Sequence, residues 1–202
     1  MSLFRKFFGS SSDSSNSDKD KEQKSPYTPE ENLPVDEMFT RNFQKNGGKF
    51  IYCENINEVS DNFLNILEEN DWFECNVMCF DDSLNHLLKD NKLDVTKNID
   101  EAQFLLSSCE NLVGDEGSIL FSSNQIKSYK PNELPINMVV FAKTSQIVLS
   151  KGDGLRYMNK KYNKEYPTNI TTIKYFEEVK DEDFLHYGSC HKNLYLLLLE
   201  DL

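Results

Sequence analysis

The residues best suited to chemistry lie in one short segment, Gly114-Asp115-Glu116-Gly117-Ser118. Glycines on either side of two acids allow a tight turn that holds the carboxylates close together. Paired acids can separate their pKa values and then divide acid and base roles between them. Asp115 and Glu116 are therefore candidate catalytic residues, and Gly114, Gly117 and Ser118 are candidate ligand contacts. The interpretation we favour is simpler: a turn joining two strands, with its carboxylates in solvent.

Other residues with chemical potential are scattered along the chain. The histidines are His86, His186 and His191. A lone histidine is more often structural than catalytic, and of the three we retain only His191 as a candidate. Three lysines lie where an anion would approach the ends of strands in an α/β fold, and scattered surface lysines are the commoner explanation. They are Lys127, Lys130 and Lys143, of which Lys127 is the candidate ligand-binding residue.

The cysteines do not indicate a metal centre. The five are Cys53, Cys75, Cys79, Cys109 and Cys190, and no pair has the C-x-x-C spacing. Cys109 follows Ser107-Ser108 but has no histidine nearby in sequence to act as its base, so we interpret it as inert. The acidic run Asp181-Glu182-Asp183 lacks the glycine and the closing glutamate of a calcium loop. We expect no metal and no cofactor.

Composition argues against nucleic-acid binding and against a transmembrane segment. The net charge of −12 repels phosphate backbones, which argues against generic nucleic-acid binding. Apolar runs stay far below the roughly 20 residues that span a bilayer, so no transmembrane segment is predicted. Reduced cysteines in apolar segments are typical of a cytoplasmic protein.

Predicted strands alternate with predicted helices, which favours an α/β domain at residues 36–202. We expect three layers, with a mainly parallel sheet and helices on both faces. Five or more strands are predicted, including 49–53, 75–80, 138–142 and 194–199. Clustered strands between about 102 and 122 indicate a local hairpin or meander within that sheet. A helix is predicted over 145–161, interrupted at Gly152 and Gly154.

The amino-terminal segments have a different composition. Residues 10–35 carry almost no apolar side chains and are predicted to be a disordered linker. Residues 1–9 place four apolar side chains on one face of a helix, which could dock on a partner or a membrane surface. The four are Leu3, Phe4, Phe7 and Phe8. A frayed terminus with chance aromatics is the simpler interpretation.

The motifs between residues 98 and 161 resemble those of the LUD (lactate-utilisation) domain family in order and spacing. The segments that carry the likeness are 98–106, 114–121, 134–141 and 145–148. Segment 98–106 is followed by an acidic segment that contains glycine and a hydroxyl side chain. That segment leads into an apolar strand. Leu134-Pro135 then precedes a second apolar strand. The closing Gly188-Ser189-Cys190-His191 and the apolar run 194–199 are similar to the end of the family.

The resemblance implies a fold like that of the sugar-isomerase and coenzyme-A-transferase group. It also implies association with bacterial L-lactate oxidation as the small, cluster-free kind of subunit beside an iron–sulfur partner. Our first hypothesis is therefore a non-catalytic accessory or regulatory subunit. The alternative is an enzyme acting on a small anionic substrate through Asp115, Glu116 and His191.

Departures from the family pattern favour the first hypothesis. The family segment Gly-Pro-Ser-Arg-Thr-Ala-Asp, expected after Ile173, is replaced by residues 174–179, which are bulky and acidic. Small residues and an arginine are what an anion cradle needs. We therefore expect lactate, pyruvate, sugar phosphates and coenzyme A to bind the isolated chain more weakly than about 10 µM.

Overall fold

The main sheet is formed by the apolar runs of the sequence. The computed structural model describes residues 33–163, 165–176 and 191–202. Six parallel strands pair in the order β1-β10-β7-β4-β2-β3. Their bounds are β1 Lys49–Cys53, β2 Asn76–Cys79, β3 Asp94–Thr96, β4 Phe104–Ser108, β7 Asn137–Lys143 and β10 Asn193–Leu199.

The central strands show the burial that is typical of a parallel sheet. In β10, residues 194–198 are all buried, as is typical of a strand covered on both faces. This strand pairs with β1 on one side, where Ile51 lies opposite Leu197. On its other side it pairs with β7, where Leu196 lies opposite Val140.

A second, smaller sheet pairs four strands in the order β8-β5-β6-β9. Strands β5 and β6 form an antiparallel hairpin, and β8 joins β5 in parallel. The bounds are β5 Asn111–Val113, β6 Ser118–Phe121, β8 Ile147–Val148 and β9 Thr171–Ile173.

The described part of the chain contains five α-helices, and side-chain caps begin three of them. They are α1 Val35–Lys45, α2 Ile56–Asn70, α3 Asn85–Asp90, α4 Ser123–Ile126 and α5 Lys151–Tyr162. Asn55 begins α2, since its side-chain oxygen accepts from the backbone N–H groups of Asn57 and Glu58. None of the described helices has the length and apolarity needed to cross a bilayer.

The helices and the small sheet create the outer layers. Helices α2 and α3 share one apolar core with the main sheet, in which Phe63 and Leu87 pack with Trp72 and Phe104. Helix α1 contacts β1 of the main sheet and both β6 and β8 of the small sheet, while α4 contacts β4 and β6. The predicted three-layer α/β architecture with a mainly parallel sheet is confirmed.

Two details of the prediction are wrong. The hairpin near residue 115 belongs to the separate small sheet, because the chain leaves the main sheet after Ser108. The helix predicted over 145–161 begins at Lys151 and continues through both glycines. Ser150 explains its start, since its hydroxyl accepts from Asp153 N–H and Asp153 accepts from the Ser150 N–H. The predicted docking segment 1–9 and nearly all of the linker lie outside the described residues.

Candidate functional site

The segment 114–118 forms the turn of the β5–β6 hairpin and is held from outside by helix α1. The Asn42 amide donates to the carbonyls of Gly114 and Asp115, at 2.9 and 3.2 Å. The Asn46 amide donates in the same way to the carbonyls of Glu116 and Gly117, at 2.8 and 3.1 Å. These four bonds occupy the backbone of the candidate ligand site.

The side chains of this turn have correspondingly local roles. Gly117 has φ +60°, and a Cβ there would lie 2.3 Å from the Asn42 carbonyl carbon, so the glycine is needed for both conformation and contact. Asp115 is exposed. The buried Ser118 hydroxyl donates to Glu116 Oε2 at 3.2 Å. This geometry agrees with the interpretation of a structural turn.

The remaining sequence candidates are divided between opposite edges of the main sheet. His191 forms an isolated bridge with Tyr175 and precedes β10, at the edge where the parallel strands begin. The turn 114–118 is also near this edge, because Asn46 lies three residues before β1. Lys127 lies instead at the carboxyl edge, with its Nζ 5.6 Å from the centroid of the Phe80 ring, just beyond β2.

The carboxyl edge of β2 and β4 holds a polar cluster that the sequence analysis did not identify. Asp81 follows β2, and its Oδ2 accepts a short hydrogen bond from the hydroxyl of Ser108, the last residue of β4. Its Oδ1 accepts from the Ser83 hydroxyl at 2.6 Å and the Ser83 N–H at 3.0 Å. We call Asp81, Ser108 and Lys127 the strand-end cluster.

Electrostatics keep Asp81 ionised. Burial alone raises the pKa of this carboxyl group, but hydrogen bonds from Ser108 and Ser83 and the positive charge of Lys127 outweigh that effect. The net pKa lies below the ordinary aspartate value. The strand-end cluster therefore joins a carboxylate and a hydroxyl by a hydrogen bond, and the charge of Lys127 acts on the carboxylate. The Lys127 ammonium itself donates to the Asn124 carbonyl at 3.4 Å.

A second polar centre surrounds Glu110, at the point where the chain passes from the main sheet to the small one. The Glu110 side chain is fully buried. Its Oε1 accepts from the Ser122 hydroxyl at 2.7 Å and the Gln125 amide at 3.1 Å. Lys161 Nζ lies 3.1 Å from Oε2, and the Tyr162 hydroxyl lies 2.9 and 3.0 Å from the two oxygens. We call these five residues the Glu110 network.

The Glu110 network stabilises charge inside the protein. Burial raises the pKa of Glu110, but the hydrogen bonds from Ser122, Gln125 and Tyr162, with the Lys161 charge, bring it below the ordinary value. Burial in turn lowers the pKa of Lys161, and its bonds to Tyr162 and Glu110 reverse this and raise it. Because both partners stay charged, this centre is suited to holding α4 and α5 against the β4–β5 junction.

Cys109, beside Glu110, is placed as an inert thiol. It is buried, and both burial and the negative charge of Glu110 raise the pKa of its thiol well above the ordinary value. Burial likewise raises the pKa of Cys53 to about 11. These thiols are therefore protonated at neutral pH and are poor nucleophiles.

The other sequence candidates have ordinary surroundings. His86 lies on α3 with its Nδ1 2.9 Å from the Ser83 carbonyl oxygen, and Lys130 and Lys143 are exposed. Within residues 33–163, 165–176 and 191–202, no three His, Cys, Asp or Glu side chains are grouped closely enough to hold a metal ion. His186, Cys190 and the acidic run at 181–183 lie outside those ranges.

The missed residues had partial signals in the sequence. Asp81 directly follows an apolar run, and Glu110 interrupts one that resumes at Leu112. A carboxylate at such a position is either a strand-end ligand or a buried charge that needs partners. The sequence does not say which strands are neighbours, and so it could not place Asp81 beside Ser108.

Comparison with known proteins agrees with this architecture. No curated protein matches the chain. Among solved structures, the crystal structure of a DUF162 family protein from Deinococcus radiodurans matches with a TM-score of 0.58 and 12% identity. That match covers 83% of this chain and 96% of the other, and it supports the fold. Residues 37–199 match the LUD domain, and the chain therefore belongs to the LUD domain family.

Proposed function

We propose that this LUD domain protein is a cytoplasmic, non-catalytic accessory or regulatory subunit of an iron–sulfur-dependent L-lactate-oxidising system. The association with lactate utilisation comes from the family. The non-catalytic role is supported by one observation: the backbone of the acidic turn and the carboxylates of Glu110 and Asp201 are engaged in holding the fold.

That observation covers three parts of the molecule. The acidic turn 114–118 is gripped by Asn42 and Asn46 through four hydrogen bonds. Glu110 is fully buried among donors that tie three elements together. Asp201 Oδ1 accepts from the Thr144 hydroxyl and the Ser145 N–H, and so fixes the segment after β7. In the turn these bonds go to backbone carbonyls, whereas in Glu110 and Asp201 the carboxylate itself accepts them.

The alternative is a small-molecule enzyme of the isomerase or coenzyme-A-transferase type acting on an anionic substrate. One observation favours it, namely that the ammonium group of Lys127 is exposed at the carboxyl edge of a parallel sheet. We would prefer this alternative if Asp115→Asn or His191→Ala abolished binding of a small anion without unfolding the protein.

Affinity capture of the intact chain tests the proposal. The tagged protein is purified under anaerobic conditions from cells grown on L-lactate, and co-purifying proteins are identified by mass spectrometry. We expect an iron–sulfur oxidoreductase in stoichiometric amount, with visible cluster absorbance in the complex. Recovery of the chain without such a partner from cells that oxidise L-lactate contradicts the proposal.

A truncated chain tests the proposed docking segment in the same experiment. A variant that lacks residues 1–9 removes Leu3, Phe4, Phe7 and Phe8. If these side chains dock on the partner, the truncated chain captures less of it while melting at the same temperature. Equal capture by both chains assigns partner binding to the folded domain.

A further inference from the structure

The strand order singles out one position at the carboxyl edge of the main sheet. From β2 the chain passes to β3 on one side, and from β4 it passes through the small sheet to β7 on the other side. Adjacent parallel strands whose connections leave in opposite directions open a crevice beyond their carboxyl ends. The neighbours β2 and β4 meet this condition, and the strand-end cluster lies there.

The cluster is held across this crevice by its own bonds. Ser108 at the end of β4 donates to Asp81 after β2, and so joins the two strand ends. The Asn169 amide donates to the carbonyls of Lys127 and Tyr129, at 2.8 and 2.9 Å, and fixes the loop that carries the lysine. The Tyr129 ring stacks on Phe80 at 6.0 Å between centroids. The crevice therefore has charged, hydroxyl and aromatic components from three segments.

Lys127 adopts a backbone conformation that favours glycine. Its φ is 53° and its ψ is −130°, at the end of helix α4. A non-glycine residue in such a conformation is strained, and strain of this kind concentrates at functional sites. The residue in this strained conformation is a lysine. Its Nζ lies near Phe80, and its positive charge helps to lower the pKa of Asp81.

We infer that the crevice between β2 and β4 binds a small hydroxylated anion, with its anionic group on Lys127 and a hydroxyl group on Asp81 and Ser108. The ammonium of Lys127 attracts a carboxylate or a phosphate. The Asp81 carboxylate accepts from a hydroxyl group but repels the anionic group, and this fixes the orientation of the ligand. The inference does not depend on the lactate-oxidising partner proposed above, and it concerns weak binding.

An NMR titration of the full chain tests the inference with defined probes. Glycerate has a carboxylate and two hydroxyl groups, propionate has the same carbon chain without them, and glycerol 1-phosphate replaces the carboxylate with a phosphate. We expect one of the hydroxylated anions to bind with a dissociation constant of about 1–10 mM. The amide signals of Asp81, Ser108 and Lys127 should shift together, and propionate should bind several-fold more weakly.

Two variants locate the binding. Lys127→Met removes the ammonium and should weaken binding about tenfold or more, because a charge-assisted hydrogen bond is lost. Lys160→Met removes an exposed lysine on α5 and should leave binding unchanged. Both should melt close to the wild-type temperature, which separates loss of the site from unfolding.

Several results overturn the inference. These are no saturable shift at about 50 mM of either hydroxylated anion, equal affinity for glycerate and propionate, or undiminished binding by Lys127→Met. Tighter binding of L-alanine than of either anion also overturns it, since that would place a ligand ammonium on Asp81. The relative affinities of glycerate and glycerol 1-phosphate tell a carboxylate ligand from a phosphate ligand.

Discussion

Lys127 combines a strained backbone with an exposed side chain. Its φ of 53° is one that glycine adopts without penalty, and strain at such a position costs on the order of 1–3 kcal/mol. We therefore expect Lys127→Gly to raise the free energy of unfolding by roughly 1 kcal/mol while it abolishes anion binding. Urea denaturation measures the first effect and the NMR titration measures the second.

Lys130→Gly is the matched control for this prediction. Lys130 is exposed and has an ordinary φ of −83°. Glycine there should lower stability by about 0.5–1 kcal/mol through a larger loss of backbone entropy on folding. Equal effects of the two substitutions would show that the conformation of Lys127 is unstrained.

Glu110 should make stability depend on pH. Its pKa in the folded protein lies below the ordinary value of 4.5, because hydrogen bonds and the Lys161 charge outweigh its burial. The stabilisation is therefore complete above the unfolded-state pKa and is lost as pH falls through the lower folded-state pKa. Glu110→Gln should lower the free energy of unfolding at pH 7 by about 1.5–3 kcal/mol. It should also reduce the loss of stability as the pH falls.

Urea denaturation between pH 2 and 7 checks the prediction for Glu110. Glu116→Gln is the control, because Glu116 is partly exposed and a glutamine oxygen can still accept from Ser118, so stability should change by less than about 0.5 kcal/mol. If Glu110→Gln loses as much stability at low pH as the wild type does, the pH dependence belongs to other carboxyl groups.

At the scale of elements, the hairpin turn depends on helix α1. Asn42→Ala removes two amide bonds to the carbonyls of Gly114 and Asp115 and should cost about 1–3 kcal/mol. Amide exchange in β5 and β6 should accelerate more than in the main sheet. Asn159→Ala on the exposed face of α5 is the control. If Asn42→Ala is as stable as that control, the bonds from Asn42 to the turn do not stabilise the fold.

The elements differ in how well the sequence predicted them. The long apolar runs of β7 and β10 were placed correctly, since a strand buried on both faces is a continuous hydrophobic segment. Strand β3 was missed because it is short, polar and at the edge of its sheet. In helix α5, the capping box of Ser150 and Asp153 outweighs the two glycines, and Gly154 lets the helix approach Leu120.

At the scale of the whole molecule, the strand-end cluster could not be predicted from the sequence, whereas the fold could. Asp81 and Ser108 are 27 residues apart, and they meet because β2 and β4 are neighbours in a strand order that local patterns do not encode. Lys127 was chosen for its charge, although its backbone conformation depends on the surrounding loops. Asp115 and Glu116 were chosen for their spacing, which a structural hairpin turn satisfies equally well.

The predicted boundary between tail and domain also belongs to this scale. Residues 10–33 have too few apolar side chains to offset the entropy of ordering, so limited proteolysis should cleave them rapidly and leave a stable core from about residue 36. Mass spectrometry of the digest identifies the cut sites. Protection of the tail at protease levels that cut loops of the domain would contradict the prediction.

The most direct test of the proposed subunit role is L-lactate-dependent dye reduction in cells that lack the gene. We expect deletion to abolish this activity, and the wild-type chain to restore it. A chain carrying Asp115→Asn and Glu116→Gln should restore it equally, because we propose that these acids serve a turn and not a reaction. Undiminished activity in the deletion strain, or failure of the folded double variant to restore it, would contradict a non-catalytic subunit role.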